Sequence, residues 1–189
     1  MNIWNNLIKS IFAGIMIGIG GLVYLNVGGA IGAILFSVGL VVIVLCNFNL
    51  YTGKIGYIKT YKEIPLMILF IIGNAIGTFL VACSTNTSSE QLMITKINNP
   101  LYMTFIKAIF CGFLMYVCVN IYKEHKKLIG IILCIPAFIL CGFEHSIADM
   151  FYIFTSETIT LRTLLFIIIV IIGNGIGANL HHLIFEKKA

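Results

Sequence analysis

Six apolar runs separated by short polar stretches divide the chain at residues 11–25, 30–50, 64–83, 101–122, 128–154 and 164–185. A helix needs about 20 predominantly apolar residues to cross a hydrocarbon core. The third, fourth and sixth runs meet that length, and the first is short, with Ile8 and Val27 available to extend it. The second and fifth end unlike plain spanning helices, in Asn49-Leu50-Tyr51-Thr52-Gly53 and in Glu144-His145-Ser146. The pattern predicts an all-α membrane protein with six transmembrane helices, the second and fifth broken. Backbone that leaves a helix inside a bilayer must be screened by protein or water, so the two irregular middles are expected to meet at a pathway. Pro136 and Gly142 are expected to supply the breaks in the fifth helix, and Gly39 and Gly53 to flank the break in the second.

The chain repeats itself at nearly one offset. Lys9-Ser10-Ile11-Phe12-Ala13-Gly14 returns as Lys107-Ala108-Ile109-Phe110-Cys111-Gly112, 98 positions later. Leu45-Cys46-Asn47-Phe48-Asn49 returns as Leu140-Cys141-Gly142-Phe143-Glu144 after 95, and Gly73-Asn74-Ala75-Ile76-Gly77 as Gly173-Asn174-Gly175-Ile176-Gly177 after 100. Each match is short; their common order and offset carry the weight. They predict one transmembrane domain over residues 1–189, with repeat one at about 9–83 and repeat two at about 101–186. Three crossings per repeat is an odd number, so the halves must insert in opposite orientations. That is the inverted-repeat plan, which places a site between the halves near the midplane. Glycines four apart, at Gly14 and Gly18, Gly73 and Gly77, and Gly173 and Gly177, read as close helix contacts.

Composition agrees with a membrane protein. Of 189 residues, 60% are hydrophobic and 10% charged, against about 25% charged in an ordinary soluble domain. The net charge of +5 is a topology signal and does not point to nucleic acid. Lys9, Lys54, Lys59, Lys62, Lys123, Lys126, Lys127, Lys187 and Lys188 fall on one side of the predicted membrane, against Lys96, Lys107 and Arg162 on the other. Nine against three places both termini in the cytoplasm and the polar loop of residues 84–100 outside. The N-terminus has neither a basic leader nor a small-residue cleavage site, so no removable signal peptide is expected. The six cysteines form no Cys-x-x-Cys pair and read as small hydrophobes. His125, His181 and His182 lie at the cytoplasmic edge without acidic or thiol partners in a metal-ligating pattern, so no metal or cofactor is expected.

The chemistry is concentrated in the fifth run, where Glu144, His145 and Asp149 sit inside apolar sequence. A charged group at mid-bilayer costs about 2.5–3.5 kcal/mol on insertion scales, so these groups should face protein or a polar path. The reference pKa of histidine, about 6.5, suits proton exchange near neutrality. His145 is therefore the candidate for proton exchange on such a path, with Glu144 orienting backbone of the broken helix.

Phe143-Glu144-His145-Ser146-Ile147-Ala148-Asp149-Met150 resembles the Gly-Phe-Glu-His-Ser-x-Ala-Asn-Met signature of the formate/nitrite transporter family. Asn49-Leu50-Tyr51-Thr52-Gly53 resembles that family's interruption of the second helix, and Gly73-Asn74 and Gly173-Asn174 its Gly-Asn pairs. The resemblance implies an aquaporin-like fold, a homopentamer with one pore per protomer in the inner cell membrane, and passage of small anions of weak acids such as formate, nitrite or hydrosulfide. It further implies two apolar constrictions formed by Phe36, Leu40, Leu50, Tyr51 and Phe138, with His145 between them, Thr52 in reach and Asn174 near the lining. Departures from the family pattern are a short N-terminus, Tyr116 in place of a pathway Asn, Tyr51 in place of Phe, and Asp149 in place of Asn. The usual vestibule lysine has two candidates, Lys96 and Lys107.

Two rivals remain. A membrane enzyme would need a nucleophile dyad, a haem histidine pair or a phosphate loop, and the sequence has none of these, so no enzyme is expected. An aquaporin-like pore for small neutral solutes shares the architecture but normally carries paired Asn-Pro-Ala turns, and that tripeptide does not occur.

Overall fold

A computed structural model describes residues 2–182. The helices are α1 (Ile3–Val27), α2 (Gly29–Leu45), α3 (Tyr51–Lys54), α4 (Ile64–Ala82), α5 (Glu90–Ile97), α6 (Leu101–His125), α7 (Ile129–Leu140), α8 (Ser146–Phe154) and α9 (Leu161–Asn179). Short 3-10 turns at Ile55–Tyr57 and Tyr61–Glu63 bridge α3 to α4. Among the described residues, four helical stretches, Ile3–Val27, Tyr61–Ala82, Leu101–His125 and Leu161–Asn179, are long and apolar enough to cross a membrane, and α2 and α7 are shorter apolar helices. Large apolar side chains on their outer faces, such as Ile31, Leu133 and Leu164, are exposed, which suits contact with lipid or a neighbouring protomer.

Some boundaries differ from the apolar runs, for local reasons. α1 begins at Ile3 because Asn2 caps it, its side-chain oxygen accepting from the N–H groups of Trp4 and Asn5. The polar Ser10 is accommodated because its hydroxyl donates to Asn6 O at 2.7 Å. α6 continues to His125 and is closed by Lys126 in the left-handed conformation (φ +56°). The stretch 84–100, expected as a loop, contains α5, whose Met93 is fully buried. The end of the sixth apolar run at Phe185, and with it Lys187 and Lys188, lies outside the described residues.

α1 packs along α4, and α6 along α9, so closely that backbones touch. A methyl group at Gly14 would lie 2.1 Å from Asn74 O, and one at Gly77 2.1 Å from Ile11 O. In the second pair, Gly112 would meet Asn174 O at 2.2 Å and Gly177 would meet Ile109 O at 1.9 Å. Residues 98–100 positions apart thus make the same contacts. Phe12 stacks on Phe48 and Phe110 on Phe143, both with centroids 5.5 Å apart.

α2 and α7 also end alike. Cys46 and Phe48 donate N–H bonds to Val42 O and Ile43 O, while Cys141 and Phe143 donate to Ala137 O and Phe138 O. Between them Asn47 (φ +51°) and Gly142 (φ +65°) hold the left-handed conformation, the geometry of a Schellman ending. The helix therefore stops at Gly142 and not at Pro136, which α7 accommodates in its interior. The gap in the second run lies between Gly39 and Gly53, with Gly39 inside α2, where a methyl group would sit 2.6 Å from Met16 O of α1, and Gly53 inside α3.

Gly177→Ala should lower stability by about 1–3 kcal/mol, because α9 must move off α6. Gly53→Ala, where the added carbon meets its nearest neighbour at 3.7 Å, should change it by less than about 1 kcal/mol. Thermal unfolding of the purified protein in detergent measures both.

Candidate functional site

Between α2 and α3, and between α7 and α8, the chain leaves helix in the protein interior. Two fully buried asparagines hold these connectors. Asn74 of α4 donates to Ser10 O (2.8 Å) and Asn49 O (2.9 Å), and its oxygen accepts from Tyr51 N–H (2.9 Å). Asn174 of α9 donates to Ala108 O (2.9 Å) and Glu144 O (2.8 Å), and its oxygen accepts from Ser146 N–H (2.8 Å). Each amide ties one long-helix pair to one connector, and both of its N–H groups are used.

His145 ends the second connector and is buried, at 2% exposure. Its Nδ1 accepts the N–H of Ala148 at 3.1 Å and so caps α8. With Nδ1 accepting, the ring proton belongs on Nε2, which lies 2.9 Å from Thr52 Oγ1 of α3. The pair is drawn from opposite halves of the chain. Phe138 stacks on the imidazole with centroids 5.5 Å apart, and Phe36 meets Phe138 edge-on at 6.2 Å. Leu40 and Leu50 are fully buried in the same core.

Cavities lie beyond these groups. One, of about 180 Å³, is lined by Phe138 and His145 together with Lys96, Asp149, Tyr24 and Tyr152. The other, of about 260 Å³, is lined by Leu40 and Leu50 together with Lys54, Lys123 and Lys126. Lys96 reaches the first cavity from α5 and pairs with both Glu144 and Asp149, the latter at 2.9 Å. Both carboxylates are 1% exposed. Burial disfavours the Lys96 ammonium, but the neighbouring Asp149 and Glu144 carboxylates outweigh it and raise its pKa above the ordinary value.

A profile of the formate/nitrite transporter family matches residues 1–185. The chain belongs to the formate/nitrite transporter family. It is 26% identical over 148 residues to the formate channel FocA of Escherichia coli K12, covering 65% of this chain and 52% of that protein. It is 25% identical over 177 residues to the nitrite transporter NirC of the same strain, covering 76% and 65%. The chain thus spans about half the length of the first and under two thirds of the second. Among solved structures, a pentameric formate channel with formate bound superposes with a TM-score of 0.85 at 17% identity, over 97% of this chain and 96% of that one. An ion channel of the same family gives 0.82 at 21% identity, over 95% and 88%. At these identities the superpositions speak for the fold, that of an integral membrane protein.

The family signature places its histidine beside Thr52, Phe138 and Lys96 here. The other expected residues are more dispersed. Tyr51 is buried, and its hydroxyl donates to Ile171 O of α9 at 3.0 Å, in space left by Gly175. Tyr116 stacks on His181 (3.7 Å between centroids) and lies against Tyr57 (5.3 Å). Lys107 is half-buried on α6 and does not line the His145 cavity. Asn174 acts on the site through Glu144 and Ser146, which it holds by their backbone. Asp149, an acid inside an apolar run and a departure from the family pattern, lies against Lys96 in the same cavity. The alternation of Leu92 and Met93 with Lys96 in an eight-residue helix was the available clue to α5.

Asn174→Ala should strand Glu144 O and Ser146 N–H in the interior, at about 1–3 kcal/mol for each unpaired group. The expected result is a lowered unfolding midpoint in detergent or loss of folded protein, and a midpoint equal to wild type would contradict the bracket role.

Proposed function

We propose that the chain is one transmembrane domain of six crossings, built as two three-helix repeats of opposite orientation, with both termini in the cytoplasm of the inner cell membrane. The matched contacts of Asn74 and Asn174, 100 residues apart, support the duplication. The lysine distribution supports the orientation. We further propose that it assembles as a homopentamer, as its structural neighbour is described, and that each protomer passes small monovalent anions of weak acids: formate, nitrite or hydrosulfide. It is a conduit and not an enzyme.

The observation that carries this reading is the buried Thr52–His145 pair at 2.9 Å, closed in by apolar side chains and flanked by lysine-bearing cavities. Phe36 and Phe138 form the collar towards Lys96; Leu40 and Leu50, with Tyr51 bracing the turn behind them, form the collar towards Lys54, Lys123 and Lys126. Lys54, Lys123 and Lys126 draw an anion into one mouth, and Lys96 marks the other, where it shares its charge with Glu144 and Asp149. At the centre it meets the Thr52 hydroxyl. That oxygen accepts from His145 Nε2–H, which leaves its own hydrogen to point at the anion. The hydroxyl steadies the anion at the centre, while the dry collars on either side favour crossing as the acid protonated from water, since a bare charge there is the costly form. Flux is then linked to protons through His145. Asn174 and Glu144 position the imidazole, and Tyr116 and Lys107 bear on approach to the pathway.

Stopped-flow flux in proteoliposomes tests this with formate, nitrite, hydrosulfide and glycerol at two pH values. Thr52→Val should lower anion flux by about tenfold, the equivalent of one buried hydrogen bond, and His145→Ala should abolish the pH dependence. Unchanged, pH-dependent formate or nitrite flux in both variants would refute the role. Glycerol flux indifferent to His145 would favour a neutral-solute pore.

A further inference from the structure

The Lys96 cluster holds more acid than base. One ammonium serves two carboxylates, Glu144 and Asp149, each 1% exposed. If all three groups were ionised, the cavity beside His145 would carry a net negative charge in a water-poor interior. Lys96 approaches Asp149 at Oδ1, whereas Asp149 Oδ2 is buried and has no hydrogen-bond partner among the described residues. A buried carboxylate oxygen without a donor is poorly placed to hold charge, and two carboxylates sharing one site do not both ionise readily. The other titratable groups around the cluster do not remedy the imbalance. Cys111 of α6 and Tyr152 of α8 interact with both carboxylates, and Tyr24 of α1 acts on Tyr152. None of the three carries positive charge near neutrality. His145 is committed to Ala148 and Thr52.

We propose that this cluster is a proton-binding site, with the proton on Asp149 Oδ2, and that Asp149 sets the sign of the charge an anion meets at this mouth. With the proton bound, Lys96 and Glu144 cancel and the cavity is neutral. When the proton leaves to water, the cavity keeps one uncompensated negative charge beside the path to His145, and anion entry slows. The mouth therefore admits anions in its acid form and resists them in its alkaline form. This is a pH dependence separate from that of the central histidine. The effect on flux rests on the pathway reading above; the bound proton does not.

Two measurements on the reconstituted, full-length protein separate these. Infrared spectroscopy should show the C=O stretch of a protonated carboxylic acid in the wild type at neutral pH. The band should disappear on alkalinisation and be missing from Asp149→Asn, a substitution of nearly the same shape. In parallel, formate flux should be measured at about pH 6 and about pH 8, spanning neutrality. The ratio of acid to alkaline flux should be several-fold smaller in Asp149→Asn than in wild type, because the variant cluster is neutral without a proton. Lack of the band in wild type, its persistence in Asp149→Asn, or identical flux ratios would each overturn the proposal. Wild-type protein that shows the band but passes neither formate nor nitrite would overturn the pathway reading and leave the proton site standing.

Discussion

The structure depends on satisfying main-chain polar groups where two helices stop inside the protein. An unpaired N–H or C=O there costs several kcal/mol, with no water to offset it. The chain uses two devices, each of them twice. A left-handed residue, Asn47 or Gly142, closes the outgoing helix on itself, and an asparagine amide from a neighbouring long helix spans the gap to the next short one. The asparagines can reach only because glycines let α1 touch α4 and α6 touch α9 at backbone distance. The close packing of the long helices and the survival of the breaks are therefore a single constraint.

On this nearly duplicated backbone the side chains are deliberately unlike. Leu50 and His145 occupy matching places, as do Thr52 and Ile147, and Asn49 and Glu144. The Thr52–His145 pair exists because one connector supplies a hydroxyl and the other an imidazole. The two cavities diverge as well: one has three lysines along its wall, the other a lysine held between two acids.

Much of this was legible in the sequence. Apolar runs located the long helices, and the common offset of three short matches located the equivalent contacts. The turn to polar residues after Leu-Cys-x-Phe located both connectors. What escaped was local geometry. Pro136 looked like a breaker, but the stop is set by the left-handed position six residues later, which an Asn in one half and a Gly in the other both tolerate. α1 ran beyond its apolar run because Asn2 and Ser10 satisfy the backbone with their own side chains. The partnership of Lys96 with Asp149 joins residues 53 positions apart through a stretch whose polarity reads as loop. No periodicity in either segment announces it.

The short helix α5 is strapped at both ends to the α8–α9 connection. Ser89 donates through its backbone to Thr155 O at 3.2 Å and through its hydroxyl to Tyr152 O. Glu90 accepts from Glu157 N–H at 2.6 Å, and Arg162 donates to Ile97 O and Asn99 O. Connections between membrane helices ordinarily absorb insertions and deletions freely. This one has lost that freedom. A single residue gained or lost between Ser89 and Lys96 would slide the ammonium by about 1.5 Å and swing it roughly 100° around the helix, away from both acids. What looks like a tether between two long helices is a spacer whose length the contacts at its two ends dictate.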